Sequence, residues 1–371
     1  MSITGLYIHV PFCFSKCDYC GFYSIIPKET YFVDRYLDRL RKGIDRWFKL
    51  DYLSKKIKTV FIGGGNPTML GLKGIRTLIE IIGNHLDFNE IEEITFETNP
   101  ETLTEDIVSY FSEIPNIRLS IGIQRLQNSE LELLGRNARM SSVIHALDRA
   151  FESVDNINGD FILGVPNCSS IALELKKLVS DYPFKHISAY FLTLEEGTPI
   201  YRKVESGKLQ NPDDIGPEEM FDVAEVLIES GFEHYEISNY SKPGYRCKHN
   251  LGYWEAEDYV GFGPFAVSSV NQVRYSAVSC FEQWLNGVKP ETENLTLVDL
   301  RNEYLMLHLR LLIDGLNLNL FEKRFGFQKE DFYKNLNRHI QAGELVKDGD
   351  IIHLTSLGVV MANSVISDLF L

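Results

Sequence analysis

The chain has 371 residues, 44% of them hydrophobic and 24% charged, with 6 cysteines and 52 Asp+Glu against 37 Lys+Arg for a net charge of -15. That composition excludes a disordered chain and a small disulfide-stapled scaffold, and at roughly 100 to 200 residues per domain the length suits two domains or one large barrel with an appendage. The acidic balance argues against a nucleic-acid partner, whose phosphates need a Lys/Arg face.

From the N-terminus, Met1 to Val10 has no basic n-region before its short apolar run and does not read as a signal peptide. No apolar stretch approaches the roughly 20 residues that cross a bilayer, so no integral membrane segment is expected. The expected location is cytoplasmic, where thiols stay reduced and clustered cysteines signal metal more often than disulfides. Short β-rich runs follow at Leu6 to Val10, Thr59 to Ile62, Ile94 to Glu97, Arg118 to Ile123, Gly159 to Leu163 and His186 to Phe191. Helical patterns accompany them at Glu29 to Leu50, Gly71 to Leu86, Thr104 to Phe111, Ser141 to Phe151, Ser170 to Tyr182 and Glu218 to Ser230. This alternation predicts an α/β fold, a parallel sheet with covering helices, and leaves open whether the sheet curls into a barrel. Tyr235 to Tyr259 is aromatic, polar and glycine-interrupted and reads as an extended, loop-rich segment. Helices at Val298 to Ile313 and Lys329 to Ala342, a hairpin turning at Asp348-Gly349 and a last helix at Ser356 to Phe370 resemble a winged helix. Residues 291–371 hold 8 Lys+Arg against 12 Asp+Glu, which favours packing or partner docking over DNA. The expected units are 1–235, a connecting segment 236–290, and 291–371.

Half of the cysteines lie in one loop after the first strand, Cys13-Phe14-Ser15-Lys16-Cys17-Asp18-Tyr19-Cys20. Three thiolates at this spacing suit an iron-sulfur cluster better than tetrahedral zinc, with a zinc knuckle or three ordinary thiols as alternatives. Three ligands on a [4Fe-4S] cluster leave one iron open for another molecule.

Tyr7-Ile8-His9-Val10-Pro11-Phe12-Cys13 through Cys20 resembles the cluster loop of the radical S-adenosylmethionine (SAM) family. The branch it resembles is that of the oxygen-independent coproporphyrinogen III oxidases and the haem chaperones of the HemW type, nearly end to end. The resemblance implies a partial, three-quarter TIM-type (β/α)6 barrel with a C-terminal winged-helix-like α+β domain. It also implies that the open iron chelates SAM, and that an electron from the cluster splits the sulfonium to give a 5'-deoxyadenosyl radical. Metal ligation falls to Cys13, Cys17 and Cys20, and the SAM site to Tyr7, Tyr19, Gly64, Gly65, Asn66, Glu97, Gln124, Arg136 and Asp160. These lie at successive predicted strand ends, the active face of a parallel barrel. Asn66 stands where the family usually has Thr.

Phe22 occupies the position at which the oxidases carry a further cysteine, as in HemW. Cys247-Lys248-His249-Asn250 with Tyr253-Trp254 matches the HemW signature H-N-x-x-Y-W, which makes His249 the leading haem contact and Cys247 the second. Two family histidines are replaced, by Val267 and by Ala138. The implied function is a haem chaperone that holds the cluster, SAM and haem, takes electrons from a donor and passes haem to an acceptor protein. A radical SAM enzyme of the oxidase type is the alternative.

Overall fold

The structure, a computed structural model, describes residues 2–27, 31–51, 53–326 and 330–370. Met1, Glu29 and Lys329, at which three of the sequence-based segments begin, lie outside the described residues. Strands β1 (Ile3–Val10), β2 (Lys55–Gly64), β3 (Glu93–Thr98), β4 (Ile117–Gln124), β5 (Ile157–Leu163) and β6 (His186–Phe191) pair in parallel in chain order. Six helices accompany them, at Tyr31–Phe48, Gly71–Gly83, Glu105–Ser112, Met140–Ser153, Ala172–Asp181 and Glu218–Glu229.

Strand alternation divides the strands into two faces. Leu6, Ile8 and Val10 of β1, Val60 and Ile62 of β2, and Ile94 and Phe96 of β3 are wholly buried in one core with the helix residues Tyr36, Leu40, Ile44, Ile75 and Leu78. The other face is polar and still buried, with Thr59, Glu93, Thr95, Arg118, Ser120, Asn158, His186 and Ser188. Each of those groups needs a partner inside the fold. Asp160, the charge set in an apolar run, finds Ser120 Oγ at 3.0 Å and Asn158 Nδ2 at 2.7 Å.

The segment read as loop-rich is in fact structured, and it lengthens the sheet at both ends. β7 (Glu233–Glu236) and β8 (Asn239–Ser241) add antiparallel strands beyond β6. β9 (Asp258–Phe262) adds a parallel strand beyond β1, followed by antiparallel β10 (Val267–Val270), β11 (Val273–Ser276) and β12 (Glu291–Asn294). Between β8 and β9 the helix Lys248–Trp254 packs on β1, β2 and β3. Its N-terminal amides need acceptors, and the Glu93 carboxylate takes Lys248 N at 3.0 Å and His249 N at 3.2 Å.

The C-terminal unit matches the winged-helix expectation. Helices Leu297–Leu309, Leu318–Phe325 and Glu330–Gln341 surround a small sheet in the order β13 (Leu316–Asn317), β15 (Ile351–Leu354), β14 (Leu345–Asp348). Its own core contains Leu305, Phe321, Phe332, Leu336 and Val365. It joins the large sheet through Leu312 N on Tyr235 O at 2.9 Å and Arg310 on the buried Glu236 at 3.3 Å. Among the described residues no helix is long and apolar enough to cross a membrane.

Candidate functional site

The cysteine loop begins where β1 ends, and the glycine turn after β2 lies against it. Gly65 N donates to Val10 O at 2.8 Å and Asn66 N to Phe12 O at 2.7 Å. Gly64 has φ +109°, and a Cβ there would meet the His9 ring at 2.5 Å. At Gly65 a Cβ would lie 2.7 Å from Phe12 O and 3.1 Å from Cys13 Sγ, so the turn closes on the thiol only because both residues lack side chains. The loop's other side is anchored by Asp18, whose N–H donates to Leu134 O at 2.9 Å and whose carbonyl accepts from Ile200 N at 2.9 Å.

Cys13, Cys17 and Cys20 are free, half-buried thiols. Burial pushes the Cys13 thiol up to about 11, and burial also raises Cys20. A metal would therefore have to displace protons on binding. Among the described residues no three His, Cys, Asp or Glu side chains converge on a single-ion site. The donor set, three unpaired thiols spread over a glycine-lined cradle with Arg136 Nη1 3.8 Å from Cys17 Sγ, suits a cluster.

The strand ends bring most of the expected residues around this loop. Glu97 Oε2 accepts the Gly64 amide at 2.9 Å, and its carboxyl is raised to about 7 by burial and then by Asp160. Burial, with Glu97 nearby, drives the Tyr7 hydroxyl far above its ordinary range, and Tyr7 Oη pairs with His9 Nδ1 at 2.9 Å. Arg136 Nη2 donates to Gly122 O at 2.8 Å and Asn99 Oδ1 at 3.2 Å, while its buried Nε has no partner among the described residues. Gln124 sits beside them with φ +71°, a left-handed conformation that turns the chain at the end of β4. Tyr19 packs with Leu134, Ile162 and Ile200, and its hydroxyl feels Arg136 and Cys17. Asn66 differs from these. Its side chain is buried and bonded to Thr102 Oγ1 at 2.8 Å and Thr68 Oγ1 at 2.6 Å, so it braces the turn from beneath.

With that arrangement in place, the chain can be compared with known proteins. The Radical SAM superfamily model matches residues 7–169, and the HemN C-terminal domain model matches residues 295–361. Heme chaperone HemW of Buchnera aphidicola subsp. Schizaphis graminum is 32% identical over 371 residues, covering 98% of this chain and 97% of the relative. The chain belongs to the HemW family. Heme chaperone HemW of Haemophilus influenzae is 31% identical over 99% of this chain and 97% of its own. The Escherichia coli coproporphyrinogen III oxidase HemN, a radical SAM enzyme, superposes with TM-score 0.82 at 20% identity over all of this chain and 90% of that one, which establishes the fold. Membership in the radical SAM superfamily implies a [4Fe-4S] cluster and SAM.

In this HemW-family chain the signature histidine stands apart from the cluster loop. His249 is buried under Gly5 and Phe61, with Nδ1 2.8 Å from Thr59 Oγ1 and Nε2 3.0 Å from Tyr253 Oη. Burial and then Arg118 lower its pKa to about 3. Both ring nitrogens are thus engaged within the chain. Cys247 is buried beside Glu93, Sγ to Oε1 3.4 Å. Ala138 is buried in the core, and Val267 begins β10. Phe22 is 68% exposed on the cluster loop.

Sequence reasoning passed over His9, Asn99, Arg118 and Phe265. His9 was readable, since it lies two residues from Tyr7 and therefore on the same strand face. Phe265, at φ +67° in the turn after Gly263, stacks on Tyr23 at 5.9 Å and nears His9 at 6.2 Å, and no periodic signal marks it.

Proposed function

We propose that the chain is a cytoplasmic haem chaperone that carries a [4Fe-4S] cluster on Cys13, Cys17 and Cys20, binds SAM beside it and passes haem to an acceptor protein. The full-length likeness to proteins named heme chaperone carries this reading. Bound there, the cluster would supply the electron, received from a donor protein, that cleaves SAM at its sulfonium. The chain's own groups divide the remaining work. Glu97, with Asp160 behind it, accepts hydrogen bonds from an ammonium or a ribose, and Arg136 offers its unpartnered Nε to a carboxylate. Tyr7, Tyr19 and Gln124 line the sides, and Gly64 and Gly65 keep the floor open to backbone contact. We assign this chemistry to residues 1–235, with 236–290 as the segment that carries the haem signature and 291–371 as a docking or lid unit. A haem contact at His249 requires its bond to Thr59 or Tyr253 to open first.

An enzyme of the coproporphyrinogen oxidase type is the competing reading, supported by the fold shared with HemN. Phe22 in place of the oxidases' additional cysteine weighs against it. Anaerobic reconstitution separates the two. The chaperone reading expects ferric haem to bind with a defined spectrum and coproporphyrinogen to stay intact, and release of 5'-deoxyadenosine with decarboxylation of coproporphyrinogen would sink it.

A further inference from the structure

Asp160 ends a chain of hydrogen bonds that crosses the buried polar face of the sheet. Asn158 Nδ2 donates to Asp160 Oδ1 at 2.7 Å and to Ser120 Oγ at 2.7 Å, which turns the amide oxygen of Asn158 toward His186 Nδ1, also at 2.7 Å. That oxygen can only accept, so Nδ1 of His186 carries the proton. Burial and then Arg118 hold His186 well below the usual histidine range, so the ring is neutral and its Nε2 is bare. Nε2 therefore accepts from the Tyr235 hydroxyl at 2.8 Å, and the same hydroxyl oxygen accepts the Cys247 amide at 3.3 Å. Asn158, His186, Tyr235 and Cys247 are wholly buried, and every donor in the chain points toward Asp160. β5, β6 and β7 supply one rung each, and Cys247 caps the start of the helix Lys248–Trp254.

We propose that Asn158, His186 and Tyr235 are positioning residues of the SAM site and that they join it to the signature helix, so that SAM binding is felt at Lys248–Trp254. The proposal rests on the SAM reading and gives that site a second end. SAM brings a sulfonium and an ammonium, and positive charge beside Glu97 favours the ionised form of Asp160 behind it. An ionised carboxylate accepts a stronger hydrogen bond than a neutral one. The strengthening passes along a chain whose donors share one direction, because each bond polarises the next in a low-dielectric interior. At the far end the Cys247 amide is held more tightly, beside the Lys248 and His249 amides that Glu93 already holds. The ladder thus fixes the start of the helix that carries His249 in step with the occupancy of the SAM site.

Hydrogen exchange tests the ladder. The full chain is reconstituted with its cluster and saturated with SAM in the absence of a reductant, so that SAM stays intact, and amide exchange is followed by mass spectrometry. In wild type, SAM should slow exchange of the Lys248–Trp254 amides by about fivefold, the lower end of ordinary coupling between sites, and leave the helix Glu330–Gln341 of the C-terminal unit unchanged. Tyr235→Phe keeps the ring and removes the hydroxyl, and Asn158→Leu keeps the volume and releases Asp160 from His186. In each variant SAM should still bind, more weakly, and its effect on the helix should vanish. Side chains that served the fold alone would speed exchange with and without SAM alike and leave the difference in place, a result that overturns the ladder. Wild type that binds SAM with no change at the helix overturns the coupling, whether or not either variant folds. Failure of wild type to bind SAM overturns the SAM reading and the ladder with it.

Discussion

Glu97 is a charge the fold pays to keep. Its carboxyl rises from 4.5 to about 7 because it is buried and faces Asp160. The folded state thus holds a proton more tightly than the unfolded state. The resulting stability is fully present below pH 4.5 and is lost as pH rises through 7. At about 1.4 kcal/mol per pKa unit, the difference between the folded carboxyl and the freely ionising unfolded one costs the fold about 3 kcal/mol at pH 8 and about 1 kcal/mol at pH 5. Glu97→Gln keeps the shape and can still accept the Gly64 amide, but does not ionise. Urea unfolding of the metal-free, reduced protein should therefore show the variant more stable than wild type by about 3 kcal/mol at pH 8 and by about 1 kcal/mol at pH 5. An equal difference at the two pH values, or a loss of stability at pH 8, would refute the reasoning. If Glu97 receives SAM as proposed, the same variant binds it more weakly, so the stabilising change is also the inactivating one.

Cys17→Ala should abolish the brown absorbance of the reconstituted protein, and iron analysis checks it, an unchanged content refuting the ligand assignment. Arg125 is fully buried between Glu130 at 3.0 Å and Glu219 at 2.8 Å. Arg125→Met should cost about 3 to 5 kcal/mol, read by thermal melting, because two carboxylates are left without their cation. His9 and His234 are lowered to about 4 and His249 to about 3, chiefly by burial. These groups stabilise the fold above their unfolded pKa of about 6.5, and the stability they contribute falls away as pH drops below it. Circular dichroism should thus show a falling melting temperature between pH 6.5 and pH 4, and a flat profile would refute the neutral burial of these rings.

The six parallel strands were legible because each carries an apolar face of period two, as in Leu6, Ile8 and Val10. The cysteine loop was legible from spacing, which needs no distant partner. The edges of the sheet were not. β8 has three residues, and all four residues of β12 are exposed, so neither offers a pattern. His249 was readable as a motif but not as a buried group, because its environment comes from Thr59, 190 residues away. Arg118 was missed for the same reason. Burial opposes its charge, which the carboxylates of Glu93 and Asp160 sustain from two other strands.

Glu93 caps a helix made 155 residues later in the chain, and β1 acquires its neighbour β9 only when Asp258–Phe262 exists. During synthesis, the first strand therefore waits with an open edge until the chain has passed residue 262, and Glu93 waits for the amides of Lys248 and His249. The strand that covers β1 on that side is thus made long after the other five parallel strands of the sheet. The cysteine loop grows from that same unguarded strand, so a cluster inserted early would meet a scaffold with one wall missing. Insertion after synthesis meets a finished cradle, which places the ordering of cofactor loading in the order of the chain itself.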